Sequence, residues 1–177
     1  MLSDLESSFD AERRADLVAQ SAELAEAEHA SIEVVDRLRG TVGRPIHLRT
    51  RSGAPVDGVL TRVEPAYVLV DEGEGLQAIV PLAAVTMVAT LAGPAPRDDR
   101  RRPTLGALLR EIARRGVRVR LIAGAGEVMG RLVRVGADHV DIALDSEGRG
   151  CVRRATGAGV VGVVSVMTAA IEVLRSR

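Results

Sequence analysis

Lysine and tryptophan are absent from this 177-residue chain, and phenylalanine, tyrosine and cysteine occur once each. With Phe9 and Tyr67 as the whole aromatic complement, the chain lacks the stacking platforms on which single-stranded nucleic acid is commonly held. A lone Cys151 cannot close an intramolecular disulfide, which points to a reducing, cytoplasmic compartment. The opening MLSDLESSFDAERR is acidic and has no apolar run of the kind a signal peptide needs. No stretch reaches the roughly 18 to 20 consecutive apolar residues that span a bilayer, so no membrane partner is expected.

What is present is aliphatic. Hydrophobic residues make up 46% and charged residues 27%, the balance of a globular chain and not of a disordered one. A Val, Leu, Ile, Ala and Gly core suits compact β-structure, where branched side chains fit a pleated surface. All the positive charge is arginine, 24 residues, a pattern that fits a GC-rich genome and carries little functional weight. The zero net charge conceals a division. Residues 1–36 hold ten acids against Arg13 and Arg14, a balance of −8, and the remainder is correspondingly +8. The acidic segment either faces a partner or neutralises the basic remainder of its own chain.

Ser3 to about Arg39 has no Pro or Gly and is rich in Ala, Glu, Leu and Arg, which predicts one long helix over 1–40. Ser3 and Glu6 have capping-box spacing, and Gly40 and Gly43 are stop signals. Its last turns are expected to dock on the strands after residue 41, and its first part to project. Five short strands are predicted over 41–91, from RPIHLRTRSG, APVDGVLTRV, AYVLVDEG, LQAIVPL and AVTMVATL. A Pro-rich, charged linker occupies 92–103. The order then restarts over 104–177. Thr104 caps a helix ending at Gly116, and VRVRLIAGAG and EVMGRLVRVGADHVDIAL repeat the earlier strands, Gly130 matching Gly58 and Leu132 matching Leu60. Extra length in the second copy falls at 145–160, read as a loop.

A helix and then five such strands, with G-x-L-x-x-V in the second, resembles the Sm/LSm family over about 30–91 and again over 104–175. The resemblance implies a mainly β protein: two tandem five-stranded Sm-like (SH3-like) barrels behind a long N-terminal helix. It also implies subunits that pair through strand edges, and RNA as a partner. The family's base-reading residues are not matched. Its Asp and Asn positions hold Glu64 and Val68 in one copy and Gly136 and Val140 in the other, and its stacking position holds Tyr67 and His139. Its Arg-Gly pair is replaced by Pro81-Leu82 and Ser165-Val166. Valine has no amide to read a base edge.

Nucleic-acid contact would therefore fall to Arg49, Arg51, Arg62, Arg118, Arg120, Arg131 and Arg134 on the strands, to the linker run Arg100, Arg101 and Arg102, and to Tyr67. The same strand arginines also suit a solvated face that blunts sheet edges. His29, His47 and His139 lack metal-site spacing, and Cys151 has no matching His-Asp arrangement. GAGVVGV at 157–163 lacks the strand-then-helix setting of a phosphate loop and reads as a strand entry. No catalytic group, metal or cofactor is expected. The reading is a non-catalytic interaction protein, RNA-associated through arginine-rich surfaces, and a homo-oligomer, preferably a dimer, through strand edges or the N-terminal helix. The alternatives are a protein-scaffolding or oligomerisation module that binds no nucleic acid, and, less favoured, a DNA-binding regulator.

Overall fold

The computed structural model describes residues 2–95, 103–124, 126–145 and 162–177. Its N-terminal half runs α1 (Leu2–Ser31), α2 (Val34–Thr41), β1 (Pro45–Thr50), β2 (Pro55–Val63), β3 (Tyr67–Gly73), β4 (Leu76–Pro81), a 3-10 turn (Leu82–Ala84) and β5 (Val85–Ala89). The C-terminal half runs α3 (Leu105–Arg115), β6 (Arg118–Ala123), β7 (Gly126–Val135), β8 (His139–Leu144), β9 (Val163–Met167), a 3-10 turn (Thr168–Ala170) and β10 (Ile171–Ser176).

The expected pair of closed five-stranded barrels is not what forms. All ten strands belong to one antiparallel sheet, in the order β5-β1-β2-β3-β4-β10-β6-β7-β8-β9, and it does not close into a barrel. Each half lays out its five strands in the same order, but β4 spends its outer edge on β10, with Leu174 opposite Ile79 and Ser176 opposite Gln77. Five short strands bury little surface by themselves. Continuing the sheet across the joint gives the central strands cover on both faces.

That cover is visible in how the two cores interlock. Val68, Val70, Ala78 and Val80 point into the N-terminal core with Leu38, Ile46, Leu48, Val56 and Leu60, and Val173 of β10 joins them. The alternate residues Tyr67 and Ile79 turn the other way and pack with Leu109, Ile112, Leu121 and Leu174 of the C-terminal core. Period-two alternation is satisfied on both sides because each half supplies the other's second layer.

The two bent strands repeat in detail. A Cβ on Gly58 would collide with the carbonyl oxygen of Asp71, and one on Gly130 with that of Ala143. The pairing slips by one residue between Leu60 and Arg62, and again between Leu132 and Arg134. Glycine permits the close backbone approach, and a bulge comes after it in both halves.

The single N-terminal helix is interrupted. Residues 32–33 leave the helical path, Glu33 is extended (φ −77°, ψ 147°), and α2 starts afresh. The break lets α2 seat Leu38, and Val35 beside it, on the core. In α1, by contrast, Leu17, Val18 and Leu24 stand in solvent. At α3 Thr104 accepts the N–H of Ala107 at 3.2 Å, and Gly116 ends the helix in the left-handed region (φ 61°).

Candidate assembly edges

The internal joint shows what this chain requires where one five-stranded half meets another. Beyond the ladder of β4 with β10 and the apolar packing across it, polar side chains of the described residues bridge the joint. Glu172, 2% exposed at the start of β10, accepts hydrogen bonds from the backbone N–H of Ser52 at 3.0 Å and from Ser52 Oγ at 2.5 Å. Arg175 donates to both carboxylate oxygens of Glu72, at 2.6 and 2.8 Å, and to the carbonyl of Pro55 at 2.8 Å. Arg51 donates to the carbonyls of Ala83 and Ala169, both at 3.0 Å, tying the two 3-10 turns together. Burial by itself would raise the Glu172 carboxyl, but hydrogen bonds from Ser52 and Thr50 and the nearby Arg51 charge outweigh it and hold its pKa below the ordinary value.

Among the described residues the sheet ends at β5 on one side and β9 on the other, and each has a partner strand on one edge. Neither strand contains a charged residue or proline, the features with which sheet edges are usually blunted. Met87 on β5 is 67% exposed, and Val163 and Met167 on β9 are 53% and 52% exposed. Unpaired backbone with apolar side chains beside it is a template for another strand.

The described arginines among those expected at nucleic acid do not gather into one free basic surface. Arg118, Arg120 and Arg131 share a face of β6 and β7, with Arg118 directly opposite Arg131. Acids are set among them: Asp145 lies 2.6 Å from Arg118, and Glu127 lies 2.7 Å from Arg120. Arg62 lies 3.9 Å from Glu64, and Arg51 is committed to the joint. Arg49 is exposed on β1, at the far half of the sheet from exposed Arg134 on β7. Arg100, Arg101 and Arg102 lie outside the described residues, as do Cys151 and nearly all of the 145–160 loop.

Tyr67 is fully buried, so its ring is unavailable for stacking on a base. Desolvation raises its pKa, the Glu64 charge adds to the rise, and Arg62 opposes it. Its Oη has no hydrogen-bond partner among the described residues. His139, at the matching place in the second half, sits 2.8 Å from Asp138.

Sequence reasoning missed Glu172, Ser52, Glu72 and Arg175. The available signal was a difference between the copies: the ionic residues of the joint occur in one copy and not at the matching positions of the other. The 3-10 turns fix that correspondence, Met167 matching Pro81 and Glu172 matching Thr86. The looser match that set Ser165 against Pro81 is thereby shifted by two residues.

Among the described residues no group of His, Cys, Asp and Glu is arranged to hold a metal ion, and no helix is long and apolar enough to cross a membrane. No protein-family model matches the chain, and no curated protein matches it.

Proposed function

We propose that this chain is a non-catalytic interaction module that works by assembly, using the outer edges of its sheet. The observation that carries this reading is the pair of uncharged outer strands β5 and β9, with Met87, Val163 and Met167 exposed along them. The scaffolding alternative thus gains support over RNA association, because Tyr67 is buried and Arg51, Arg118 and Arg120 are engaged by protein acceptors. The acidic helix α1, whose Leu17 and Leu24 stand in solvent, is a second surface on which a partner helix fits.

The test is molar mass by light scattering across a concentration series, with a filter-binding salt titration on mixed RNA run beside it. The reading expects a mass above the 18.7 kDa of one chain. It also expects that Val88→Pro or Ser165→Pro, which remove N–H groups facing away from β1 and β8, lower that mass. A monomer at all concentrations that binds RNA tightly at low salt and releases it at high salt would overturn it in favour of RNA association.

A further inference from the structure

We infer that the partner at both edges is a second copy of this chain, joined head to tail, with β5 of one copy pairing antiparallel with β9 of the next in the register of the internal joint. This rests on the assembly reading above and adds the identity of the partner, its polarity and the residues that meet.

The internal joint is the template. It unites the fourth strand of one half (β4) with the fifth strand of the other (β10). Among the described residues, what remains open is the fourth strand of the C-terminal half (β9) and the fifth strand of the N-terminal half (β5). A chain that already makes this junction once therefore carries the two complementary sides of it, one at each end. Such an arrangement is heterologous: its two sides differ, so copies add in one direction and either close a ring or extend a filament.

Matching the halves through their 3-10 turns transfers the register. Leu174 opposite Ile79 becomes Val88 opposite Ser165, and Arg175 opposite Ala78 becomes Ala89 opposite Val164. Val173, which is fully buried because it enters the neighbouring half's core, becomes Met87, which is 67% exposed. Met87 is an apolar side chain standing in water at the position where its counterpart is sheltered by the next unit. On the receiving strand Val163 and Met167 are likewise exposed.

The ionic contacts of the internal joint drop out in pairs. Arg175 and Glu72 correspond to Ala89 and Leu144, so neither partner of that ion pair remains to be stranded without the other. Glu172 corresponds to Thr86, whose hydroxyl is already bonded to the Arg49 and Thr50 carbonyls, both at 3.1 Å. Neither half of that ion pair is left buried alone. The outer layer does differ. Apolar Leu69 and Ile79 correspond to Asp141 and Ser165, which hydrogen-bond each other at 2.6 Å. The contact between copies is therefore weaker than the internal one, and reversible.

The test uses single-cysteine variants of the full chain in a Cys151→Ser background. Ala89→Cys and Val164→Cys are prepared separately, then mixed and oxidised. A disulfide-linked species of twice the chain mass is expected in the mixture and not from either variant alone. Val88→Cys mixed with Ser165→Cys is a second pair at the same register, in case one variant fails to fold. Cross-linking of Ala89→Cys with itself, or of Val164→Cys with itself, would show pairing of like edges and overturn the inference. Oligomers by light scattering with neither mixed pair cross-linking would overturn it too, while leaving the assembly reading intact. A monomer at every concentration would overturn both.

Discussion

Glu172 reaches from the first turn of β10 to Ser52 in the β1–β2 turn, so a carboxylate of the C-terminal half is satisfied by the N-terminal half. The two residues are 120 positions apart in sequence. Their contact is one reason the ten strands behave as a unit and not as two independent sets.

Glu172→Gln is expected to lower stability at neutral pH by about 1–3 kcal/mol, since a charged acceptor for a backbone N–H and a hydroxyl is lost. The pH dependence comes from the depressed carboxyl. The native state holds this group ionised more firmly than the unfolded chain does. Its contribution is present above the unfolded pKa of about 4.3 and is lost as pH falls through the lower folded value. Thermal melts from pH 7 to 3 should converge for the wild type and the variant in acid. Parallel curves would assign the acid sensitivity to other groups.

Tyr67 is the one tyrosine and tryptophan is absent, so absorbance near 295 nm reports its ionisation alone. The native protein is expected to titrate above the ordinary value of 10.0, with the spectral change tracking unfolding. A group whose folded pKa is raised stabilises the fold below its unfolded pKa and ceases to as pH rises through the folded value. Tyr67→Phe removes a buried hydroxyl without a described partner, so its melting temperature should be unchanged or higher. A fall of many degrees would show that the hydroxyl is in fact satisfied.

Gly58→Ala and Gly130→Ala each place a methyl group against a carbonyl of the neighbouring strand. Each is expected to cost about 1–3 kcal/mol, read from the denaturation midpoint. A matched pair of losses would show that both bent strands depend on the same close approach. A neutral effect at either would mean the strand can shift there.

The Arg175–Glu72 pair joins the halves with side chains only 14% and 12% exposed. A double-mutant cycle with Arg175→Ala and Glu72→Ala should give a coupling of roughly 0.5–3 kcal/mol. Additive losses would show that Arg175 acts through the Pro55 carbonyl instead.

The strands, the caps of α3 and the internal repeat were legible because local pattern determines them, whereas Ser3 of the expected capping box lies inside α1. Alternation places Ile46 and Leu48 inward, Thr104 caps α3, and Gly58 and Gly130 recur before the same Leu and Val spacing. Closure was not legible. Whether β4 pairs with β5 of its own half or with β10 depends on a contact about a hundred residues away, and nothing in LQAIVP distinguishes the two. Tyr67 misled for a related reason. Counting faces within one half puts it on the outside, and it is buried because the other half covers that outside. The strand arginines do lie on the exposed face, but their acids Glu127 and Asp145 come from neighbouring strands and turns.

Whether β5 and β9 are the edges through which the molecule assembles is read most directly by hydrogen exchange of their backbone amides. The peptides covering Val85–Ala89 and Val163–Met167 are monitored by mass spectrometry at dilute and at high protein concentration, with the peptide covering β10 as an internal standard. Both edges should gain protection together as concentration rises, while β10, already paired on both sides, stays slow throughout. If both edges exchange rapidly at every concentration while β10 remains protected, these edges are not where the molecule assembles.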